Sequence, residues 1–428
     1  MYRRTLSILS FSAAFFVSAQ QYVHQVLVLN EGYFDWQEQQ QVVPVTLGSY
    51  DPSSGTYQTV ATIDGSRFAS DVEVHDQFIY VAADAKLLKF NRDDHSLMDE
   101  VEVEGIRKIA VWNDLILITR GELGGLPHYF EVRNAGDLEL VTVITPADGL
   151  PHSIEDVVVA DDRAWLGVNN AFEWGALTGY VAVVDLADLQ LVDTIELGPE
   201  GLNPEKLMVT SDALYVLNNT DFTASSISKI SRQSLSLDIT EPLALNSGCG
   251  ASALAPVQEK VYFMEYAVNT LARFDLVSGA VMDTLFNGIS AYGLVDDHIN
   301  GVMYATTTDF FSSGELHVMQ YDGIISASVP VGVGPGHLAL DIRMSTGITT
   351  EAPSRISVFP NPAVDRIRIS GFSMEKAEVR IMDALGRQVW DGIGANDPSG
   401  IEIGVSGLNT GIYTVQVAGA PAVRFVKQ

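Results

Sequence analysis

A single cysteine, Cys249, stands in 428 residues, which excludes an intramolecular disulfide and a cysteine-built zinc cluster. Basic residues are scarce as well: 25 Lys+Arg face 54 Asp+Glu, for a net charge of −29. A surface of that sign repels phosphate backbones and anionic headgroups, so neither nucleic acid nor an electrostatically bound membrane is an expected partner. No segment reaches the ~18 to 20 consecutive apolar residues of a membrane helix. The eight histidines form no His-x-His or His-Glu-x-x-His pair, and there is no Gly-x-Ser-x-Gly elbow and no Asp-x-Asp-x-Asp-Gly loop. No metal, no cofactor and no catalytic residue is therefore expected, and the chain reads as a binding protein rather than an enzyme. Disorder is excluded too, since 47% of the residues are hydrophobic and only 18% charged.

The amino terminus has the layout of an export signal. Arg3 and Arg4 precede the apolar run Leu6 to Val17, and Val17-Ser18-Ala19 offers a small-residue cleavage site before Gln20. Residues 1–19 are read as a signal peptide. Gln20 and Gln21 follow where a lipoprotein would need cysteine. The mature protein is expected outside the inner membrane.

The remainder repeats itself. The phrases around Leu27, Tyr80, Ile116, Trp165, Tyr215, Tyr262 and Tyr304 share a β-rich grammar, with a mean period of about 46 residues. Each copy holds four short strands, and the third often ends in an apolar residue followed by a turn, as in Phe90-Asn91-Arg92 and Phe274-Asp275-Leu276. Helical periodicity is missing between them. Four strands per 40 to 50 residues is the arithmetic of a β-propeller blade, and seven copies predict seven blades over residues 20–343. The first copy lacks its opening strand, and Gly334-Pro335-Gly336-His337-Leu338-Ala339-Leu340 supplies a matching one at the far end. Pairing the two would close the ring and remove its exposed edges.

Residues 344–354 read as a polar linker, and residues 355–428 as a small β-sandwich with alternating strands such as Arg366-Ile367-Arg368-Ile369. The expected fold class is thus all-β, a seven-bladed β-propeller followed by a small β-sandwich. From Glu351 to Gln428 eight acidic residues balance eight basic ones, so the propeller region carries almost all the negative charge. The tail's Pro360-Asn361-Pro362 with Asp365, its Asp383-Ala384-Leu385-Gly386-Arg387, its Gly411-Ile412-Tyr413 and its final Phe425-Val426-Lys427 come in a fixed order. In these residues the tail resembles the C-terminal sorting domain of Bacteroidetes type IX secretion. The resemblance implies recognition by the outer-membrane secretion machinery, followed by release or surface attachment.

Propeller loops between second and third strands share a face with the loops joining blades. There the sequence places aromatic residues among polar ones: Asn30, Glu31, Tyr33, Phe34 and Trp36, then His128, Tyr129, Phe172 and Trp174, then Asn219, Phe222, Tyr266, Phe310 and Phe311. Rings among amides suit a neutral or cationic planar organic molecule, or sugar rings. The expected ligand set is Asn30, Glu31, Tyr33, Trp36, Tyr129, Phe172, Trp174, Asn219, Phe222, Tyr266 and Phe310. The expected role is capture of a small molecule or glycan. The alternatives are a lactonase-like hydrolase or lyase using His152 or His337, and an adhesion or scaffold protein. The Val28-Leu29-Asn30-Glu31-Gly32 opening and the blade grammar resemble Bacteroidetes surface propellers related to the YVTN-repeat proteins. Some of those capture cobalamin for an outer-membrane transporter, so the resemblance implies a corrinoid as one candidate ligand.

Overall fold

The computed structural model describes residues 20–345 and 357–428, leaving out 174, 221–223, 244–246, 267–268, 284–287, 371–375, 385, 396–399 and 418–422. The expected signal peptide and most of the expected linker lie outside the described residues. Residues Gln21–Met344 form one compact unit, and Ser345–Gln428 belong to a second. Among the described residues the regular structure is all strand, apart from the single-turn helices Pro146–Asp148 and Pro256–Gln258.

Among its described residues the first unit contains seven four-stranded sheets and one two-stranded hairpin. The second sheet is typical, running Asp71–His75, Phe78–Ala83, Lys86–Asn91 and Leu97–Glu102 in spatial order. The seventh repeats the pattern with Gly293–Asp297, Val302–Thr307, Ser313–Gln320 and Ile325–Val333. The first sheet is composite: Pro335–Ser345, from the far end of the unit, lies beside Gln20–Asn30, followed by Val45–Asp51 and Thr56–Ile63.

The repeated phrase is the second strand of each sheet. It is apolar without alternation because both of its faces are buried. Leu27 and Leu29 pack toward the second sheet, while Val26 and Val28 pack toward the seventh. Ile79 and Val81 likewise face the first sheet, and Tyr80 and Ala82 the third. Continuing around, every pair of successive sheets shares one hydrophobic cluster. The last cluster joins Tyr304, Leu316 and Val331 of the seventh sheet to Val26, Val28 and Tyr50 of the first.

Two local devices recur. A register shift separates the third and fourth strands in every sheet, between Leu47 and Gly48 in the first and between Lys89 and Phe90 in the second, for example. Such bulges increase strand twist. The turn after the third strand is held by an Asx side chain: Asp51 Oδ1 accepts from Ser53 N at 2.8 Å, Asn91 Oδ1 from Asp93 N at 2.8 Å, and Asp275 Oδ1 from Ser278 N at 2.7 Å.

A buried polar network fastens the composite sheet. Fully buried Asp341 accepts from Gln25 Nε2 at 3.0 Å and from Arg343 Nη2 at 2.7 Å, and Arg92 of the second sheet's turn approaches it at 3.5 Å. Gln25 Oε1 in turn accepts from Ser49 Oγ at 2.6 Å and lies 3.0 Å from His95 Nε2.

The second unit has a three-stranded sheet, Ser357–Phe359, Arg366–Ser370 and Ile401–Gly404, and a four-stranded one, Gln388–Ala395, Lys376–Met382, Gly411–Val417 and Val423–Lys427. One core serves both, with Ile367, Ile369, Ile401 and Ile403 from the first meeting Val379, Ile381, Val415 and Phe425 from the second.

Removing one partner from a buried ion network leaves uncompensated charge. Asp341→Ala is therefore expected to destabilise the first unit by about 3–5 kcal/mol in urea titrations. A loss below 1 kcal/mol, the size of an ordinary surface pair, would show that the network does not hold the closing strand.

Candidate functional site

A cavity of about 750 Å³ lies along the first strands of all seven sheets. Its wall includes Asp71 of the second sheet, Arg107 and Lys108 of the third, Glu155 of the fourth, Glu205 and Lys206 of the fifth, and His337 of the first. These strands carry polar residues because their free inner edge has no further strand to pair with and borders the cavity. Two carboxylates double as ties between sheets: Asp71 Oδ2 accepts from Ile109 N at 2.9 Å, and Asp156 Oδ2 from Leu207 N at 2.8 Å.

Most of the cations are paired. Arg107 Nη2 donates to Glu155 Oε1 at 2.7 Å, and Lys206 Nζ lies 3.3 Å from Asp156 Oδ2. Asp156 is the main reason that the Lys206 ammonium is held above its ordinary pKa. Lys108 Nζ donates to the Ser70 carbonyl at 2.6 Å and stands 3.3 Å from His337 Nδ1. Burial, and then the charges of Lys108, Arg107 and Lys206, push His337 well below the usual histidine range, so the imidazole is neutral at pH 7. Glu73, next but one to Asp71 on the same strand face, is pushed up to about 8 by burial and by the Asp71 charge.

The Asn30-Glu31-Gly32 phrase sits where the first sheet's second strand leaves the sheet. Asn30 is fully buried, and its amide donates to Thr46 O at 3.2 Å and Tyr57 Oη at 3.0 Å. Glu31 N donates to Gly334 O at 2.8 Å, which anchors the backbone and sends the side chain into the cavity wall. Gly32 follows with φ +73°, and a Cβ there would come within 2.3 Å of the Val43 carbonyl oxygen. The Glu31 carboxyl accepts from Tyr292 Oη at 2.6 Å and lies 3.9 Å from His337 Nε2. Gly336 leaves room for it, since a Cβ there would approach Glu31 Oε1 to 2.4 Å. Burial pushes the carboxyl up to about 7, against the pull of the Tyr292 hydroxyl, Lys108 and Arg107.

The expected aromatic set divides. Tyr33 opens a hairpin, Tyr33–Asp35 with Gln40–Val43, and stands edge-on to Phe311 with centroids 5.3 Å apart. Phe310 stands edge-on to Tyr292 at 4.8 Å. Phe310 has φ +67°, a left-handed conformation unusual for a bulky side chain. It is fixed by Thr308, whose Oγ1 accepts from Phe310 N at 2.8 Å, and by Asp309, whose Oδ1 accepts from Phe311 N and Ser312 N at 2.8 and 2.7 Å. Those backbone bonds hold the Asp309 carboxyl down at about 2. Thus Glu31, Tyr33 and Phe310 are gathered with Phe311 and Tyr292 between the first and seventh sheets.

Other expected residues are placed differently. Phe172 lines the cavity with Arg107 5.4 Å from its ring centroid, whereas Trp36 lies off the wall, 57% exposed, with Arg67 5.5 Å from its ring centroid. Asn219 is buried behind the wall and donates to Glu205 Oε1 at 3.2 Å, so it and Asn30 position the site instead of facing a ligand. Tyr129 packs against the core shared by the third and fourth sheets, and Tyr266 is exposed away from the cavity wall. Trp174 and Phe222 lie outside the described residues. The residues that sequence reasoning missed are Tyr292, Arg107, Lys108, Glu205 and Lys206. The charged ones had a signal, a pair of adjacent charges inside an apolar strand, in Ile106-Arg107-Lys108-Ile109 and Pro204-Glu205-Lys206-Leu207, as in Ile154-Glu155-Asp156-Val157.

In the second unit Asn361, Gly411 and Tyr413 of the expected sorting residues meet the final strand, which ends at Lys427. Asn361, between Pro360 and Pro362, accepts from Val426 N at 2.9 Å through Oδ1 and donates to Arg424 O at 3.3 Å through Nδ2. The Asp365 carbonyl accepts from Val405 N at 2.8 Å. Gly386 takes φ +75° in a turn where Arg387 Nε donates to Asp383 Oδ2 at 2.8 Å. Gly411 pairs with Lys427, whose side chain is buried, and Tyr413 stacks on Phe425 with centroids 5.6 Å apart.

Residues 357–427 match the secretion system C-terminal sorting domain family. That domain implies handling by type IX secretion machinery and export to the cell surface or beyond. No curated protein matches the chain in sequence. Among solved structures, a hypothetical selenium-binding protein from Sulfolobus tokodaii is similar at TM-score 0.55 and 10% identity, covering 78% of this chain and 95% of that one. A quinoprotein alcohol dehydrogenase-like protein from Bacteroides thetaiotaomicron is similar at TM-score 0.53 and 13% identity, covering 75% and 79%. A β-propeller domain from Myceliophteria thermophila is similar at TM-score 0.50 and 12% identity, covering 69% and 97%. At such identities the likeness concerns the fold alone, which is all-β and propeller-like. Among the described residues no helix is long and apolar enough to cross a membrane.

A carboxyl whose folded pKa lies above its unfolded one supports the fold in acid, and that support is lost as pH rises through the folded value. For Glu73 the window runs from its ordinary 4.5 to about 8. Glu73→Gln is expected to raise the thermal midpoint at about pH 8.5 and to change it little at about pH 4.5. A variant less stable than the parent at the higher pH would contradict this.

Proposed function

We propose that this chain is a secreted or cell-surface binding protein. In this reading a seven-bladed β-propeller captures a small organic ligand or a glycan, and a C-terminal β-sandwich directs export through type IX secretion. Residues 1–19 act as a signal peptide for the inner membrane, and the sorting unit then meets the outer-membrane machinery. The observation that carries the capture role is the cavity of about 750 Å³ along the first strands, lined by Glu31 and Tyr292, with Phe310 standing edge-on against Tyr292. A concave volume of that size, with the rings of Phe172 and Tyr292 set among many polar groups, is the kind of site that takes a small polar ligand. The left-handed Phe310 supports the same role, because backbone strain of this kind concentrates at functional sites.

A hydrolase or lyase is the second reading. It rests on the neutral His337 beside Lys108 and Glu31, since an unprotonated imidazole can take a proton at pH 7.

A thermal-shift screen of the full chain against neutral glycans, planar organic compounds, cobalamin and cobinamide is expected to give dose-dependent stabilisation. It should reach about 2.7 kcal/mol at a hundredfold excess over Kd. Phe310→Gly is expected to preserve the unliganded midpoint, because glycine relieves the positive φ, while weakening the ligand shift. Turnover of a compound during the screen would favour the second reading, and a flat screen would overturn capture. Deleting residues 357–427 is expected to leave the protein in the periplasm, as read by fractionation and immunoblotting. Unchanged surface or extracellular levels would contradict the export role.

A further inference from the structure

Twice around the cavity, the chain itself combines an aromatic ring, a carboxylate and an organic cation. Arg67 lies 5.5 Å from the Trp36 ring centroid and 5.6 Å from that of Phe68, with its Nε 2.9 Å from Asp84 Oδ2. Arg107 lies 5.4 Å from the Phe172 centroid and pairs with Glu155 at 2.7 Å. A third place has the rings and the carboxylate. Glu31 carries the Tyr292 hydroxyl, Phe310 stands against Tyr292, and Phe311 stands against Tyr33. Among the described residues no guanidinium or ammonium lies over the rings of Tyr33, Phe310 or Phe311. Phe310 and Phe311 are 48% and 67% exposed, so their faces are reachable.

The cations nearest the carboxyl are directed elsewhere: Arg107 pairs with Glu155, and Lys108 binds the Ser70 carbonyl and leans toward Asp71 at 4.0 Å. His337, whose Nε2 lies 3.9 Å from Glu31 Oε1, is neutral. Holding an acidic group in such surroundings costs stability, and the hydrogen bond from Tyr292 needs only an acceptor, which a glutamine would supply as well as a glutamate. A positive ligand would explain it. Aromatic faces next to a carboxylate form the standard receptor for ammonium groups, by combined Coulomb and quadrupole attraction.

We propose that the ligand of this mouth carries an organic ammonium group, held between the Glu31 carboxylate and the rings of Tyr33, Tyr292, Phe310 and Phe311. This inference rests on the capture reading and narrows its ligand class. The groups facing the carboxyl are the Tyr292 hydroxyl from the seventh sheet, His337 from the first, and Lys108 and Arg107 from the third. Of these, Glu31 itself titrates near neutrality, so binding strengthens as pH rises through about 7.

The test is calorimetric titration of the full chain with choline and with 3,3-dimethylbutan-1-ol, its uncharged isostere. Choline is expected to bind at least about tenfold more tightly than the alcohol, and to lose about tenfold or more between pH 8.5 and pH 5.5. Glu31→Gln keeps an acceptor for Tyr292 and is expected to erase the difference between the two probes. The melting curve of the variant establishes that it is folded, and the comparison of probes on the parent chain needs no variant. Equal affinity for both probes overturns the proposal, and so does a charge preference that survives Glu31→Gln. If neutral glycans bind and choline does not, the ammonium proposal fails while capture stands. If nothing binds, both fail.

Discussion

Everything in the first unit follows from one constraint: a four-stranded sheet made of strands that are apolar on both faces cannot stand alone. Each sheet has to be covered on two sides, and its only available covers are its neighbours in sequence. The cluster shared by each successive pair is that cover. A linear row would leave the first and last sheets bare. The contact of Tyr304, Leu316 and Val331 with Val26 and Val28, together with the strand Pro335–Ser345 donated to the first sheet, removes both bare faces at once.

The same arrangement dictates where chemistry can be. Faces are sealed by packing, so polar side chains are left with the inner edges, the turns and the loops. The inner edges crowd Asp71, Glu73, Glu155, Asp156 and Glu205 against Arg107, Lys108 and Lys206, and the charges of Asp71 and Asp156 raise Glu73 and Lys206. The loops supply rings. Glu31 is where the two sets meet, at the end of a core strand and at the edge of the cavity.

How much of this was legible in the sequence depended on range. The second strands were readable because burial on both faces makes them continuous apolar phrases. The Asx turns were readable because Asp and Asn bond their own backbone within three residues. The closing strand was readable from its Gly-Pro-Gly lead. The sorting residues were readable as an ordered set, although their physical task, fastening the strand Val423–Lys427, was not. Ligand-facing residues were the least legible. Trp36 and Asn219 had the right chemistry, but Arg67 lies against one and Glu205 accepts from the other, from 31 and 14 residues away, pairings no local pattern announces. Tyr292 became part of the site only through a hydroxyl reaching Glu31 across 261 residues.

The composite first sheet also carries information about timing. Synthesis runs from the amino terminus, so Gln20–Asn30 emerges early and waits for Pro335–Ser345, more than 300 residues later, before its sheet is whole. The sorting sequence 357–427 is made directly afterwards. A chain broken off anywhere before residue 335 lacks both the strand that completes the ring and the signal that follows it. Completion of the fold and eligibility for export are therefore written in adjacent stretches of one polypeptide, and an unfinished ring never carries an address.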